Sequence, residues 1–161
     1  MSSPVPRQRI GKLDAAQRQL RTAVKMFFDD GDDVSIRTLV AAARQILLDL
    51  LKRRGRSSRF QESLQDLLTP EGLAIFRQAI AEPENFFKHA NRDPDRELEF
   101  NPESTSFMLI ECGVLHQEIT GRNLRDCWVF FLWVGFNDPR ILRPGPLLER
   151  VKQLRSQGLG P

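Results

Sequence analysis

"SIRTLVAAARQILLDLLKRRG", residues 35–55, decides the fold class. Ile36, Leu39, Val40, Ala43, Ile46, Leu47, Leu50 and Leu51 recur at steps of three and four, so they share one face of a helix and not of a strand. Lys52, Arg53 and Arg54 fall in the last turn, where cations oppose the negative helix end. Gly55 suits the left-handed position just beyond. Asp33 or Ser35 is the expected N-cap.

Working outward, the upstream residues repeat the pattern. Leu13, Ala16, Leu20, Ala23, Val24, Phe27 and Phe28 mark one face of a first long helix, which "DDGDD" (29–33) ends. That acidic turn lacks the full loop spacing and terminal glutamate of a calcium loop, and is read as a capping turn. Two long amphipathic helices joined so closely pack as a hairpin. Downstream, Phe60, Leu64, Leu67 and Leu68 predict a short third helix. "TPEG" (69–72) starts another, with Thr69 as cap, Pro70 in the first turn and Leu73, Phe76 and Ile80 facing inward. Pro83 is expected to interrupt it, so that a kink or a fresh helix carries "ENFFKHA" (84–90). Asn101 and Pro102 open a helix with Met108, Cys112, Leu115 and Ile119 on its face and Gly121 at its end. Residues 123–136 form the most apolar helix, expected at the centre of the core with Trp128 and Trp133 filling volume. After turns at "NDP" (137–139) and "RPGP" (143–146), Leu147, Leu148, Val151 and Leu154 mark a last helix.

No alternating strand pattern of useful length and no internal repeat is present. The expected architecture is an all-α, single-domain bundle of six or seven helices over 12–157, with a flexible tail at 1–11 and a short C-terminal tail at 158–161.

The chain has 161 residues, 40% of them hydrophobic and 28% charged, which fits a folded soluble protein with a real core. Its longest apolar run, 127–136, is about half of what a bilayer requires, so no membrane span is expected. No signal peptide is visible, and two cysteines give no disulfide framework, so reduced thiols in a cytoplasm are the simpler reading. The net charge of +3 is modest but uneven. "KRRGRSSR" (52–59) concentrates Lys52, Arg53, Arg54, Arg56 and Arg59, either as a nucleic-acid contact or, more plainly, as a helix end and solvated loop.

Chemistry concentrates in "ENFFKHANRDPD" (84–95). In a helix beginning at Pro83, Asn85 and His89 are four apart and share an exposed face, while Phe86, Phe87 and Ala90 point toward a core. A histidine there can move a proton or bind phosphate. The plainer reading is a residue that caps carbonyls at a helix end, with Arg92 and Asp93 solvated. Cys112 and His116, also four apart, would need Cys127 and His89 to complete a zinc set. No C-x-x-C pair supports that set and both cysteines fit apolar faces, so neither metal nor cofactor is expected.

"ENFFKHA", following a hairpin of two long amphipathic helices, resembles the HEPN superfamily (named for higher eukaryotes, prokaryotes and nucleotide binding) over residues 13–136. The resemblance implies a small α-helical bundle, often dimeric. In many members it also implies a metal-independent endoribonuclease built on an arginine, a following polar residue and a histidine one turn later. Asn85 and His89 match the polar and histidine positions, but Glu84 stands where the arginine belongs. A carboxylate there reverses the sign and repels phosphate. Arg77 lies twelve residues before His89, too far along a continuous helix to substitute. "FFKHA" and "RDP" also resemble a group of bacterial proteins, which brings no activity with it.

Three readings follow. The first is a non-catalytic or degenerate HEPN-like protein, dimeric, that binds protein, nucleotide or RNA. The second is an active endoribonuclease with His89 as general acid or base, Asn85 orienting substrate, and Arg92 or Lys88 against phosphate. The third is a structural subunit of a bacterial assembly, which predicts an exposed apolar patch without a polar cleft.

Overall fold

A computed structural model describes residues 7–91, 93–139 and 144–158, with Leu67 described by its backbone alone. Among the described residues the chain forms seven α-helices and no strand, an all-α bundle. They are α1 (Lys12–Phe28), α2 (Asp33–Arg53), α3 (Arg59–Leu67), α4 (Pro70–Phe86), α5 (Glu103–Thr120), α6 (Arg125–Asn137) and α7 (Pro146–Ser156). Residues 7–11 carry no regular structure; residues 1–6 and 159–161 of the two expected tails, and Arg143 of the "RPGP" turn, lie outside the described residues.

α2 is the organising helix. Its cap is Asp32, and not Asp33 or Ser35 as expected, and its carboxylate accepts the Ser35 N–H at 2.7 Å. Gly55 takes the left-handed conformation at φ 67°, which closes the far end as the sequence predicts. Ile36, Val40, Ala43, Leu47 and Leu51 are buried against α1, which contributes Ala16, Leu20, Ala23 and Val24. α5 packs on α2 with Met108, Leu109, Cys112 and Leu115 fully buried. α6 packs on both α5 and α1, completing a four-helix core. At Gly113 the α5–α6 approach leaves little room, since a Cβ there would come within 3.2 Å of the Cys127 Cβ.

α6 does not sit at the centre of that core. Only Cys127, Phe130 and Gly135 are buried, whereas Trp128 is 44% and Val129 47% exposed. The helix is apolar all round, but its contacts with α5, α1 and α7 leave part of its surface open. Trp128 therefore stacks on Phe131 at the surface, with ring centroids 5.4 Å apart. Trp133 is half-buried and meets Phe27 and Phe28 edge-on.

The α3–α4 pair lies beside the core and touches α2 and α5 only lightly. Thr69 caps α4 by accepting the Gly72 N–H at 3.1 Å, as expected. Pro83 does not end α4, which runs on to Phe86. Pro83 is buried, and Arg37 from α2 donates to the Ile80 carbonyl at 2.8 Å, which ties this turn of α4 to α2. Asn101 accepts the Glu103 N–H at 3.0 Å at the start of α5, and Gly121 ends that helix in the left-handed conformation. No helix among the described residues is long and apolar enough to cross a membrane.

Candidate functional site

Because α4 continues through Pro83 and stops at Phe86, Asn85 lies in its last turn and His89 just beyond it. The His89 N–H still donates to the Asn85 carbonyl at 3.1 Å, so the two residues keep a helical offset. Phe86 and Phe87 are half-buried, with Phe87 edge-on to Phe100, while Ala90 is exposed and not in a core.

Asn85 and His89 line one open cleft of about 640 Å³, together with Glu82, Asn91, Asp93 and Arg96. Arg96 folds back across it, paired with Glu82 and, at 3.5 Å, with Asp93, its guanidinium 5.9 Å from the centre of the Phe86 ring. The hydrogen bond from Arg96 to Glu82, against slight burial, raises its pKa, so the cation is held by the protein's own carboxylates. Glu82 and Asp93 against Arg96 leave this cleft with one excess negative charge among its described residues. Arg92 lies outside the described residues. Lys88 donates to Glu84 at 2.8 Å and is not among the residues lining the cleft.

Glu84 is engaged elsewhere. Besides the Lys88 pair, its negative field acts on two arginines of α2, Arg37 and Arg44. Arg37 is fully buried and donates to Ser104 Oγ at 3.0 Å and to the Ile80 carbonyl; its Nε has no partner. Burial lowers its pKa, Glu84 pulls it back up, and Arg44 pushes it down. Burial also works against the charge on Arg44, but the hydrogen bond and field of Glu111 outweigh it and raise the pKa overall. Gln61 of α3 donates to the same Glu111 carboxylate at 3.3 Å. Glu84 thus pairs with Lys88 and adds a favourable field at Arg37 and Arg44.

The basic segment is divided. Arg54 donates to the Ile119 carbonyl, Arg56 to the Glu118 carbonyl at 2.8 Å, and Arg59 pairs with the Glu118 carboxylate at 3.8 Å. Two of the five cations therefore cap the C-terminal end of α5, where its dipole is negative, and a third pairs with a carboxylate beside them. Lys52 and Arg53 remain on the exposed end of α2.

His116 is buried and belongs to the fold. Its Nδ1 lies 3.0 Å from the Arg122 carbonyl and its Nε2 2.9 Å from the Gln17 amide nitrogen, which together select the Nδ1–H tautomer. Cys112 and Cys127 are buried free thiols. Burial pushes the Cys112 thiol well up, and burial with the Asp126 charge takes Cys127 up to about 12, so neither is an accessible nucleophile. Among the described residues no group of three or more histidines, cysteines or carboxylates is placed to hold a metal.

The sequence reading missed Glu82 and Arg96, which pair across the cleft, and Arg37, Arg44 and Glu111, the buried or half-buried charges beside Glu84. A signal for the second group existed, since Arg37 and Arg44 are seven apart within an apolar helix and Glu111 stands between apolar residues of α5. The chain matches no protein-family model, no curated protein and no solved structure.

Proposed function

We propose that this chain is a HEPN-like helical protein that acts by binding a protein, nucleotide or RNA partner and does not cleave RNA. Glu84 carries the reading. A carboxylate about 4 Å from a phosphate oxygen costs on the order of 1–4 kcal/mol at the surface, where the motif arginine would instead stabilise it. Glu84 is tied to Lys88 and to the field of Arg37 and Arg44, so it has no reason to move aside. The excess negative charge among the described residues of the His89 cleft works in the same direction. The reading includes a homodimer, for which the exposed Phe107, Trp128 and Val129 supply apolar area.

One observation favours the enzyme reading: Asn85 and His89 line the same open cleft, as a general acid–base and an orienting amide require. A structural subunit is supported by the apolar surface of α6 but not by the presence of a polar cleft. Incubation of a mixed RNA pool with purified protein and with His89→Ala separates these readings. The binding reading expects no cleavage above background from either. Cleavage by the unsubstituted chain that His89→Ala abolishes would overturn it.

A further inference from the structure

A second pocket, which shares Ala81 and Asn85 with the His89 cleft, opens between α2 and the α3–α4 pair. It has a volume of about 360 Å³, at the small end of the range that holds small molecules. One wall is apolar, made by Leu64, Leu73, Phe76 and Ile80. Arg44, Gln61, Arg77 and Asn85 are among the polar groups that complete the lining.

The charges here select the sign of a ligand. Arg44, 14% exposed, is matched by Glu111, and Glu84 by Lys88. Arg77 remains. It is exposed, lines the pocket, and has no ion-pair or hydrogen-bond partner among the described residues. The pocket thus carries one uncompensated positive charge at its solvent side. Neutral donors sit alongside it. The Asn85 amide makes no side-chain hydrogen bond, Gln61 has one N–H engaged with Glu111, and Arg44 uses Nε and Nη2 on Glu111, leaving Nη1. Donors and one cation facing an apolar wall fit a molecule that is anionic at one end and hydrocarbon at the other.

We infer that this pocket binds a small amphipathic monocarboxylate, its carboxylate on Arg77 and the neighbouring amides and its apolar part against Leu64, Leu73, Phe76 and Ile80. A cation of the same shape is disfavoured by Arg77 and Arg44, and a polyphosphate is disfavoured by Glu84. Binding needs no covalent step.

The test is calorimetric titration of the full chain with octanoate, 1-octanol and octylamine. Octanoate is expected to bind saturably at one site, and octylamine not to bind there. Arg77→Gln changes an exposed side chain and should leave the fold intact while weakening octanoate roughly three- to tenfold. Leu64→Trp should weaken it by filling the apolar side. Lys12→Gln removes a remote exposed cation and should change nothing. Absence of saturable octanoate binding, equal affinity for octanoate and octylamine, or an unchanged affinity in Arg77→Gln overturns the assignment. RNA cleavage that depends on His89 would overturn the binding reading above and leave this site standing, whereas failure of octanoate to bind does the reverse.

Discussion

Arg44 of α2 holds Glu111 of α5 with two hydrogen bonds, Nε to Oε2 at 2.5 Å and Nη2 to Oε1 at 3.1 Å, across 67 residues of sequence. Glu111 is 2% exposed, so the pair joins the two central helices in a place nearly closed to water. Such a pair adds little over a well-packed apolar substitute, but half of it is costly to leave behind.

Arg44→Met, which strands the Glu111 carboxylate, is therefore expected to lower stability by about 3–5 kcal/mol. Arg44→Met with Glu111→Met should recover most of that loss. Urea unfolding of the single and double variants measures the coupling. A single variant within about 1 kcal/mol of the parent, or a double variant as unstable as the two losses added, would show that the pair does not hold α2 to α5.

Glu84→Arg puts an arginine where the proposed HEPN likeness expects one and tests what the carboxylate does. It removes the Lys88 pair and adds a third guanidinium near Arg37 and Arg44. The expected result is a loss of roughly 1–3 kcal/mol and no gain of RNA cleavage. Glu84→Gln should cost less, since it removes the counter-charge without adding a cation. A stable, cleaving Glu84→Arg protein would show that the acidic position is the sole block on catalysis.

The two substitutions separate what was legible in the sequence from what was not. The apolar stripes of α1 and α2 state their own geometry, because helix period is a local property. Arg37, Glu111 and His116 stand among apolar residues, but what they do there is not readable until their partners are known. Those partners lie far off, with Gln17 and His116 separated by 99 residues and Arg37 and Ser104 by 67. Pro83 misled for a related reason, since α4 runs through it where Arg37 of α2 holds the same turn, a contact that no local rule supplies. In the candidate site, the shared cleft of Asn85 and His89 follows from their spacing. The closing pair of Arg96 and Glu82 depends on how the loop after α4 folds back.

The placement of α6 at the edge of the core separates two neighbouring aromatic residues. Phe130 is fully buried and meets Phe27 edge-on with ring centroids 5.0 Å apart, whereas Trp128 is 44% exposed. Phe130→Ala should cost about 3–5 kcal/mol, since it leaves a cavity in the core. Trp128→Ala should stay within about 1 kcal/mol in the monomer, because its ring is 44% exposed, stacks on Phe131 and lines an open groove. Thermal unfolding compares the two. Equal losses would put Trp128 in the interior and contradict the arrangement of α6.

His116 is expected to make stability depend on pH above the range where carboxylates titrate. Burial lowers its pKa, the Arg122 carbonyl partly opposes this, and the charge of Arg21 adds to the lowering. The folded protein therefore keeps the ring neutral, with Nε2 accepting from Gln17. In the unfolded chain a histidine takes up its proton near pH 6.5. Below that point the unfolded state binds more protons than the folded one, so stability falls as pH drops from about 6.5 toward the lowered folded value. Above it the contribution is fully present. Protonation of the folded ring would also set two donors against each other at the Gln17 contact. Unfolding free energies measured at about pH 7.5 and pH 6 should thus differ more for the parent than for His116→Gln, whose amide has no charge to acquire. The variant is expected to be less stable at the higher pH, since it gives up the fitted imidazole, and to close part of that gap on acidification. If parent and variant lose stability in parallel, the buried ring is not the proton-linked group, and the pH response belongs to the surface.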